Sequence, residues 1–166
     1  MSAERGHFSH GFGPVYDAAS RILILGSFPS AASRAVQFYY GHPRNRFWPV
    51  LTALLDVPLP DTTEQRRDLL LSRHIALWDA IEECDVEGSS DGSIRNAVPT
   101  DLSRILSAAP VRAIFTNGGV SAAVYAKYQL PLTGIAAVRL PSTSPANAAW
   151  SFDRLCAAWA RILEDL

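Results

Sequence analysis

At 166 residues the chain has the length of one ordinary domain and buries enough surface for a core without staples. A composition of 48% hydrophobic and 19% charged residues excludes a disordered chain; two cysteines, Cys84 and Cys156, exclude a disulfide framework or a thiolate cage for zinc or iron–sulfur. The net charge of −1 hides an asymmetry, because residues 18–55 hold four arginines and no acid, residues 56–91 hold ten acids and three arginines, and acids vanish again between Asp101 and Asp153.

Two acid-free stretches in a near-neutral protein point to one face shaped for an anion, with chance clustering as the plain alternative. No apolar run approaches the ~20 residues of a membrane span. Met1 to Gly13 has no basic head followed by an apolar stretch, so no signal peptide is expected. A reducing cytoplasmic compartment, nucleoid-associated in a prokaryote, is the expectation.

In chain order, Arg21–Leu25 is a short apolar run that reads as a buried strand. Asn45 precedes Phe47, Trp48, Leu51, Leu54 and Leu55, an apolar stripe at helical spacing, with Pro49 in the first turn where proline is tolerated. Asp61-Thr62-Thr63-Glu64 has the pattern of a capping box for a helix through Leu71. A second strand is expected at Ile75–Trp78, and Thr100 is placed to cap a helix over Asp101–Ala108. Val111–Thr116 gives a third strand, and Gly118-Gly119 opens a helix to about Tyr128. Ile135–Leu140 gives a fourth strand, and Phe152, Leu155, Trp159, Ile162, Leu163 and Leu166 mark an amphipathic helix at the end. No repeat or linker divides residues 1–166, so one domain is expected.

Strands alternating with helices imply an α/β fold whose parallel sheet is covered on both faces. Ligands in such folds bind outside the carboxyl ends of the strands. Those ends carry Gly26-Ser27-Phe28-Pro29-Ser30, then Asp79 with a later Ser89-Ser90-Asp91-Gly92-Ser93 loop, then Asn117-Gly118-Gly119, then Pro141 through Asn147. Four loops of small and polar residues on one rim make a cleft. The segment from Gln37 to Trp48 interleaves aromatics with arginines, which suits bases that stack and phosphates that pair with guanidinium groups.

Gly26-Ser27-Phe28-Pro29-Ser30, with Tyr39-Tyr40-Gly41-His42-Pro43-Arg44-Asn45-Arg46-Phe47-Trp48 and Leu140-Pro141-Ser142-Thr143-Ser144-Pro145-Ala146-Asn147, resembles the uracil-DNA glycosylase superfamily. Within it the chain is similar to the hypoxanthine-DNA (deoxyinosine) glycosylase branch, as are the lead-in from His10 to Tyr16 and the Gly88–Ile94 loop. The resemblance implies a three-layer α/β/α sandwich around a four-stranded parallel sheet. It also implies a partner, DNA containing deaminated bases, and hydrolysis of the N-glycosidic bond of a flipped-out base without metal or other cofactor.

The roles it implies are specific. Asn45 matches an asparagine that orients water; an amide does not take a full proton as a carboxylate does, but it holds a water in place. The plain alternative for Asn45 is a helix N-cap. Phe28 stands where other members carry Asp or Asn, so the catalytic polar group must come from elsewhere; its ring lines the pocket or packs in the core. Tyr40 aligns with the base-stacking aromatic, and a slip of one residue would exchange it with Tyr39. Asp79 stands where uracil-specific relatives keep a base-reading asparagine. A carboxylate only accepts, which suits the N1–H of hypoxanthine; a turn-capping aspartate is the alternative. Asn117 reads first as a turn residue before Gly118-Gly119 and is a minor pocket candidate, and Gly26, Ser27 and Pro29 complete the pocket. Ser142, Thr143, Ser144, Pro145, Ala146 and Asn147 resemble the loop that grips DNA, with Ser142 in place of a histidine and Ala146 in place of a bulky wedge. Ser30, His42, Arg44 and Arg46 are expected to meet phosphate, His42 alternatively being structural.

His7 and His10 lack a third ligand, so no metal site is expected. Lys127 is the only lysine and has no evident neighbour to activate it, so a monofunctional glycosylase that leaves an abasic site is expected; the chain is expected to be a monomer. The competing readings are a uracil or mismatch-thymine glycosylase and a non-catalytic binder of damaged DNA on the same fold.

Overall fold

The run Ile22-Leu23-Ile24-Leu25-Gly26 is buried at every position in the computed structural model, which describes residues 5–166. Residues 1–4, the head of the segment read above for a targeting signal, lie outside the described residues. Successive strand residues point to opposite faces, so a strand buried throughout is covered on both sides. That is the three-layer α/β architecture expected from the alternation of elements.

The elements begin with β1 (Arg5–Ser9), β2 (Ile22–Gly26), α1 (Ala31–Val36), α2 (Phe47–Leu55) and α3 (Thr63–Ser72). Then come β3 (Ile75–Asp79), β4 (Ile81–Glu87), β5 (Arg95–Pro99), α4 (Ser103–Leu106) and β6 (Ala113–Asn117). α5 (Gly119–Val124) runs through a π turn at Tyr125–Gln129 into α6 (Leu130–Thr133). β7 (Ala137–Leu140) and α7 (Phe152–Trp159) follow, the latter prolonged by a 3-10 segment, Ala160–Asp165. The parallel sheet has the order β3-β2-β6-β7. β3 is added on one side of β2 and β6 and β7 on the other, so the order of winding reverses between β2 and β6, the switch point where open α/β sheets hold their ligands. Among the described residues no helix is long and apolar enough to cross a membrane.

Ile22, Leu23, Ile24, Leu25, Ile75, Leu77, Ile114 and Phe115 form the buried centre with Phe47, Leu51, Leu155, Trp159 and Ile162 from the helices. Each such side chain contributes roughly 1.5–3 kcal/mol by leaving water. Phe47 meets Trp159 edge-on at 5.9 Å, which joins α2 to α7.

A second sheet was not foreseen. β1, β4 and β5 pair antiparallel in the order β1-β4-β5 and pack Ile81, Cys84 and Val86 against Phe28. Register shifts between Ile81 and Asp85 break the alternation of β4, so its inward residues are spaced three and then two apart. Four acids among seven residues then make the strand read as a charged loop.

Three local expectations are corrected. The capping box is Thr62 with Gln65, one residue later than read, because Thr62 Oγ1 accepts from the Gln65 N–H while Gln65 Oε1 accepts from the Thr62 N–H. Thr100 caps no helix: its hydroxyl donates to the Asp79 carbonyl and accepts from the Gln129 amide, while Asp101 Oδ1 accepts from the Ser103 N–H at the start of the much shorter α4. The helix opened by Gly119 does not end at Tyr128 but continues through the π turn to Thr133.

Candidate functional site

Gly26, Asp79, Asn117 and Leu140 are the last residues of the four parallel strands, and all four line one cleft of about 960 Å³. Its floor is made of Gly26, Asp79 and Tyr40. A Cβ on Gly26 would sit 2.3 Å from Asp79 Oδ1 and 2.9 Å from the Tyr40 hydroxyl, so only glycine leaves that space open.

Asp79 is 4% exposed. Its Oδ2 is bonded to His10 Nε2 at 2.8 Å, and its carbonyl accepts from the Thr100 hydroxyl at 2.8 Å. Its Oδ1 has no hydrogen bond among the described residues. His10 is 1% exposed and lies behind Asp79, wedged among the rings of Phe12, Tyr39 and Phe28. Its Nδ1 bonds to the Phe12 carbonyl, which only accepts, so Nδ1 carries a hydrogen. Burial disfavours the imidazolium, yet the hydrogen bond and charge of Asp79, the Phe12 carbonyl and the charge of Glu82 together hold His10 above its ordinary value.

The expected aromatics separate by depth. Phe38 and Tyr39 are core residues, and the Tyr39 hydroxyl donates to the Gly13 carbonyl at 2.8 Å. Tyr40 turns into the cleft from a left-handed backbone conformation (φ 54°) and stacks on Phe47 with ring centroids 4.1 Å apart. Its buried hydroxyl has no partner among the described residues, and burial pushes the phenol well above its ordinary range.

Asn45 lies at the N-terminus of α2, where its Oδ1 accepts from the Phe47 N–H and from the Thr143 hydroxyl, both at 2.9 Å. Both lone pairs of Oδ1 are thereby used, which fixes the amide orientation, and Nδ2 has no partner among the described residues. Thr143, fully buried, is the hub: its hydroxyl accepts from Asn117 Nδ2 at 2.9 Å and its N–H donates to Asn117 Oδ1 at 3.0 Å. One chain of bonds therefore ties the end of β6, the loop after β7 and the start of α2. Asn117 is part of this support and more than a turn residue.

The loop 142–147 is stitched internally, with Ser142 Oγ accepting from the Ser144 N–H and Ser144 Oγ from the Ala146 N–H. Arg46 holds the loop from below, its guanidinium donating to the carbonyls of Trp150 and Asn147. Arg46 is thus committed to the fold. Arg44 is exposed, and His42 Nδ1 accepts from the Arg44 N–H at 3.0 Å. Ser30 caps α1 by accepting from the Ser33 N–H, and Pro29 offers its carbonyl to Arg34. Phe28 packs in the smaller hydrophobic cluster while still bordering the cleft.

Three residues at or behind the cleft were not assigned a role from sequence. Asp91 accepts the Ser27 hydroxyl between its two carboxylate oxygens, at 3.0 and 2.9 Å, which closes one wall through the Gly88–Ile94 loop. Arg139, near the end of β7, adds an exposed cation to the rim beside Gly119. His10 reaches the site from 69 residues upstream of Asp79, a separation no local spacing reveals. Lys127 lies on the π turn over the Tyr128 ring and is not among the residues that line the cleft.

The model of the uracil DNA glycosylase superfamily matches residues 14–166. A hypoxanthine DNA glycosylase of Methanosarcina acetivorans is 34% identical over 145 residues, which is 87% of this chain and 91% of the relative. A protein of the same name from Methanosarcina barkeri is 36% identical over 110 residues, 65% of this chain and 70% of the relative. The solution NMR structure of a candidate uracil DNA glycosylase from Methanosarcina acetivorans is similar with a TM-score of 0.77 at 31% identity, covering 93% of this chain and 98% of that one.

Proposed function

This chain belongs to the uracil DNA glycosylase superfamily, and from that premise we propose that it is a monofunctional DNA glycosylase whose foremost substrate is hypoxanthine in DNA. The observation that carries the reading is the pairing of two fixed groups on one cleft. Asn45 offers Nδ2 after both acceptor positions of its oxygen are used, and Asp79 offers one carboxylate oxygen on the floor.

The base must leave the duplex to reach such a cleft. Asp79 Oδ1 accepts the N1–H of the purine lactam. The C1′–N9 bond breaks with its electron pair going to the base, and positive charge grows on the sugar as in other glycosyl cleavages. Asn45 Nδ2 holds the oxygen of a water that bonds to C1′. One water proton stays on the new C1′ hydroxyl, the other goes to solvent, and the base takes up a proton as it departs. Asn45 donates to the water and does not deprotonate it, so its contribution is position. With the sole lysine off the cleft, the product is an abasic site and not a Schiff base. Arg44, His42 and the loop 142–147 face the DNA backbone.

The test is release of free base from matched duplexes carrying one hypoxanthine, uracil, mismatched thymine or xanthine. Fast release of hypoxanthine is expected. Release confined to uracil or thymine would overturn the role given to Asp79, and binding without release of any base would make the protein a sensor of damaged DNA.

A further inference from the structure

Hypoxanthine differs from guanine only by the missing 2-amino group. A free carboxylate facing N1–H would bind guanine better, because guanine presents two parallel donors, N1–H and N2–H, to two oxygens. A cleft that reads a purine lactam with an aspartate must therefore be kept from accepting the commonest lactam in DNA.

We propose that His10 determines specificity by holding Asp79 Oδ2, which leaves Oδ1 as the unpartnered acceptor for the one-donor edge of hypoxanthine and makes Oδ2 a poorer acceptor for the second donor of guanine. The inference rests on the reading of Asp79 as the group that meets the base.

The geometry supports it at each atom. His10 Nε2 lies 2.8 Å from Oδ2, and both side chains are at least nine-tenths buried. The imidazole cannot turn away: Nδ1 is bonded to the Phe12 carbonyl, and the rings of Phe12, Tyr39 and Phe28 stand 4.6, 5.7 and 6.3 Å from its own. Thr100 holds the Asp79 backbone through its carbonyl, and Gly26 borders Oδ1 on the cleft side. A guanine placed with N1–H on Oδ1 would bring its 2-amino group to an oxygen whose partner is already in place. Its donor would be stripped of water for an oxygen already shared with His10, a mismatch of the kind by which a site rejects an analogue. His10 is absent from the cleft lining, so its action passes through Asp79; it is a positioning residue.

The experiment compares His10→Leu, which frees Oδ2, with His10→Gln, whose amide can still donate to it. Each preparation is given two duplexes, hypoxanthine opposite thymine and guanine opposite thymine, which open from wobble pairs of equal hydrogen-bond number. The ratio of the two release rates within one preparation cancels any unfolded fraction. The wild type is expected to release hypoxanthine and almost no guanine. His10→Leu should narrow that ratio by about tenfold or more, the worth of one hydrogen bond, while His10→Gln stays near the wild type. Should His10→Leu release neither base, competition between free guanine and free hypoxanthine for the variant reads the same ratio. A ratio unchanged in His10→Leu, or narrowed as far in His10→Gln, overturns the role of His10 and leaves the glycosylase reading intact. A wild type that releases no hypoxanthine overturns both.

Discussion

At the scale of the residue, Asn45 combines two tasks that substitution can separate. Its oxygen, one residue before the Arg46 N-cap of α2, accepts from the Phe47 N–H and the Thr143 hydroxyl, while its nitrogen has no partner among the described residues. Asn45→Ser keeps an acceptor for the Phe47 N–H and should unfold within about 0.5 kcal/mol of the wild type, whereas Asn45→Ala removes the acceptor of that N–H and of the Thr143 hydroxyl and should cost about 1 kcal/mol. Both should lose about 10²–10³ in the rate of base release while DNA affinity holds, the usual cost of removing one oriented group from a transition state. Retained turnover in Asn45→Ser would remove the amide from the reaction. Gly26→Ala places a methyl 2.3 Å from Asp79 Oδ1, so the carboxylate must move off its bond to His10. The variant should fold and lose base release, measured by melting and by a single-turnover assay. His10 should titrate above its ordinary value of 6.5 when its ring is followed by NMR. A group raised in the folded state stabilises fully below its unfolded value and loses that contribution as pH rises through the folded one. The pair therefore supports the fold most on the acid side of neutrality, and a midpoint at or below 6.5 would contradict the bond to Asp79.

At the scale of the element, the cleft depends on strand ends that are held from behind. Arg46 donates from the start of α2 to Trp150 and Asn147, and its backbone N–H donates to Thr143. Charged donors on carbonyls are the stronger kind, so Arg46→Ala should cost about 1–3 kcal/mol in a urea titration. It should also make the loop 142–150 more open to proteolysis than the sheet. An unchanged midpoint would show that the loop is held by its own serines. The antiparallel sheet acts likewise on the other wall. Arg34 reaches from α1 to the carbonyls of Pro29 and Gly88, and Ser27 reaches Asp91, so β4 and its following loop are drawn over the cleft. Phe28, which cannot assist a water, serves in packing this sheet.

At the scale of the molecule, the acid-free stretches of the chain supply most of the cleft rim. His42 and Asn45 come from the first, with exposed Arg44 between them in the chain, and Arg139 and the loop 142–147 come from the second, while the acids of residues 56–91 fall mainly on α3 and β4. Counterion release makes each phosphate contact visible in the salt dependence of binding. Arg44→Ala should weaken duplex binding about equally for every base and lower the log–log salt slope by roughly 0.9. A slope unchanged by this variant would place the phosphate path elsewhere on the rim.

Much of this was legible in the chain. Apolar runs without alternation report burial on both faces, so the four parallel strands were evident, and a rule of topology then located the cleft at their carboxyl ends. The resemblance of the loops to the superfamily pointed to Asn45, Tyr40 and Asp79, and all three line one cleft. The second sheet was not legible, since β4 is bulged and acidic and its apolar residues find their face only against Phe28. Nor were the partners of the polar groups. His10 with Asp79, Asn117 with Thr143 and Arg46 with Trp150 join residues separated by 69, 26 and 104 positions. Hydrogen bonds are short and directional, so which donor meets which acceptor is decided only when distant segments are packed together. The sequence determined the fold, the cleft and the chemical groups around it; the tertiary structure decided which lone pairs and N–H groups remain free for a substrate.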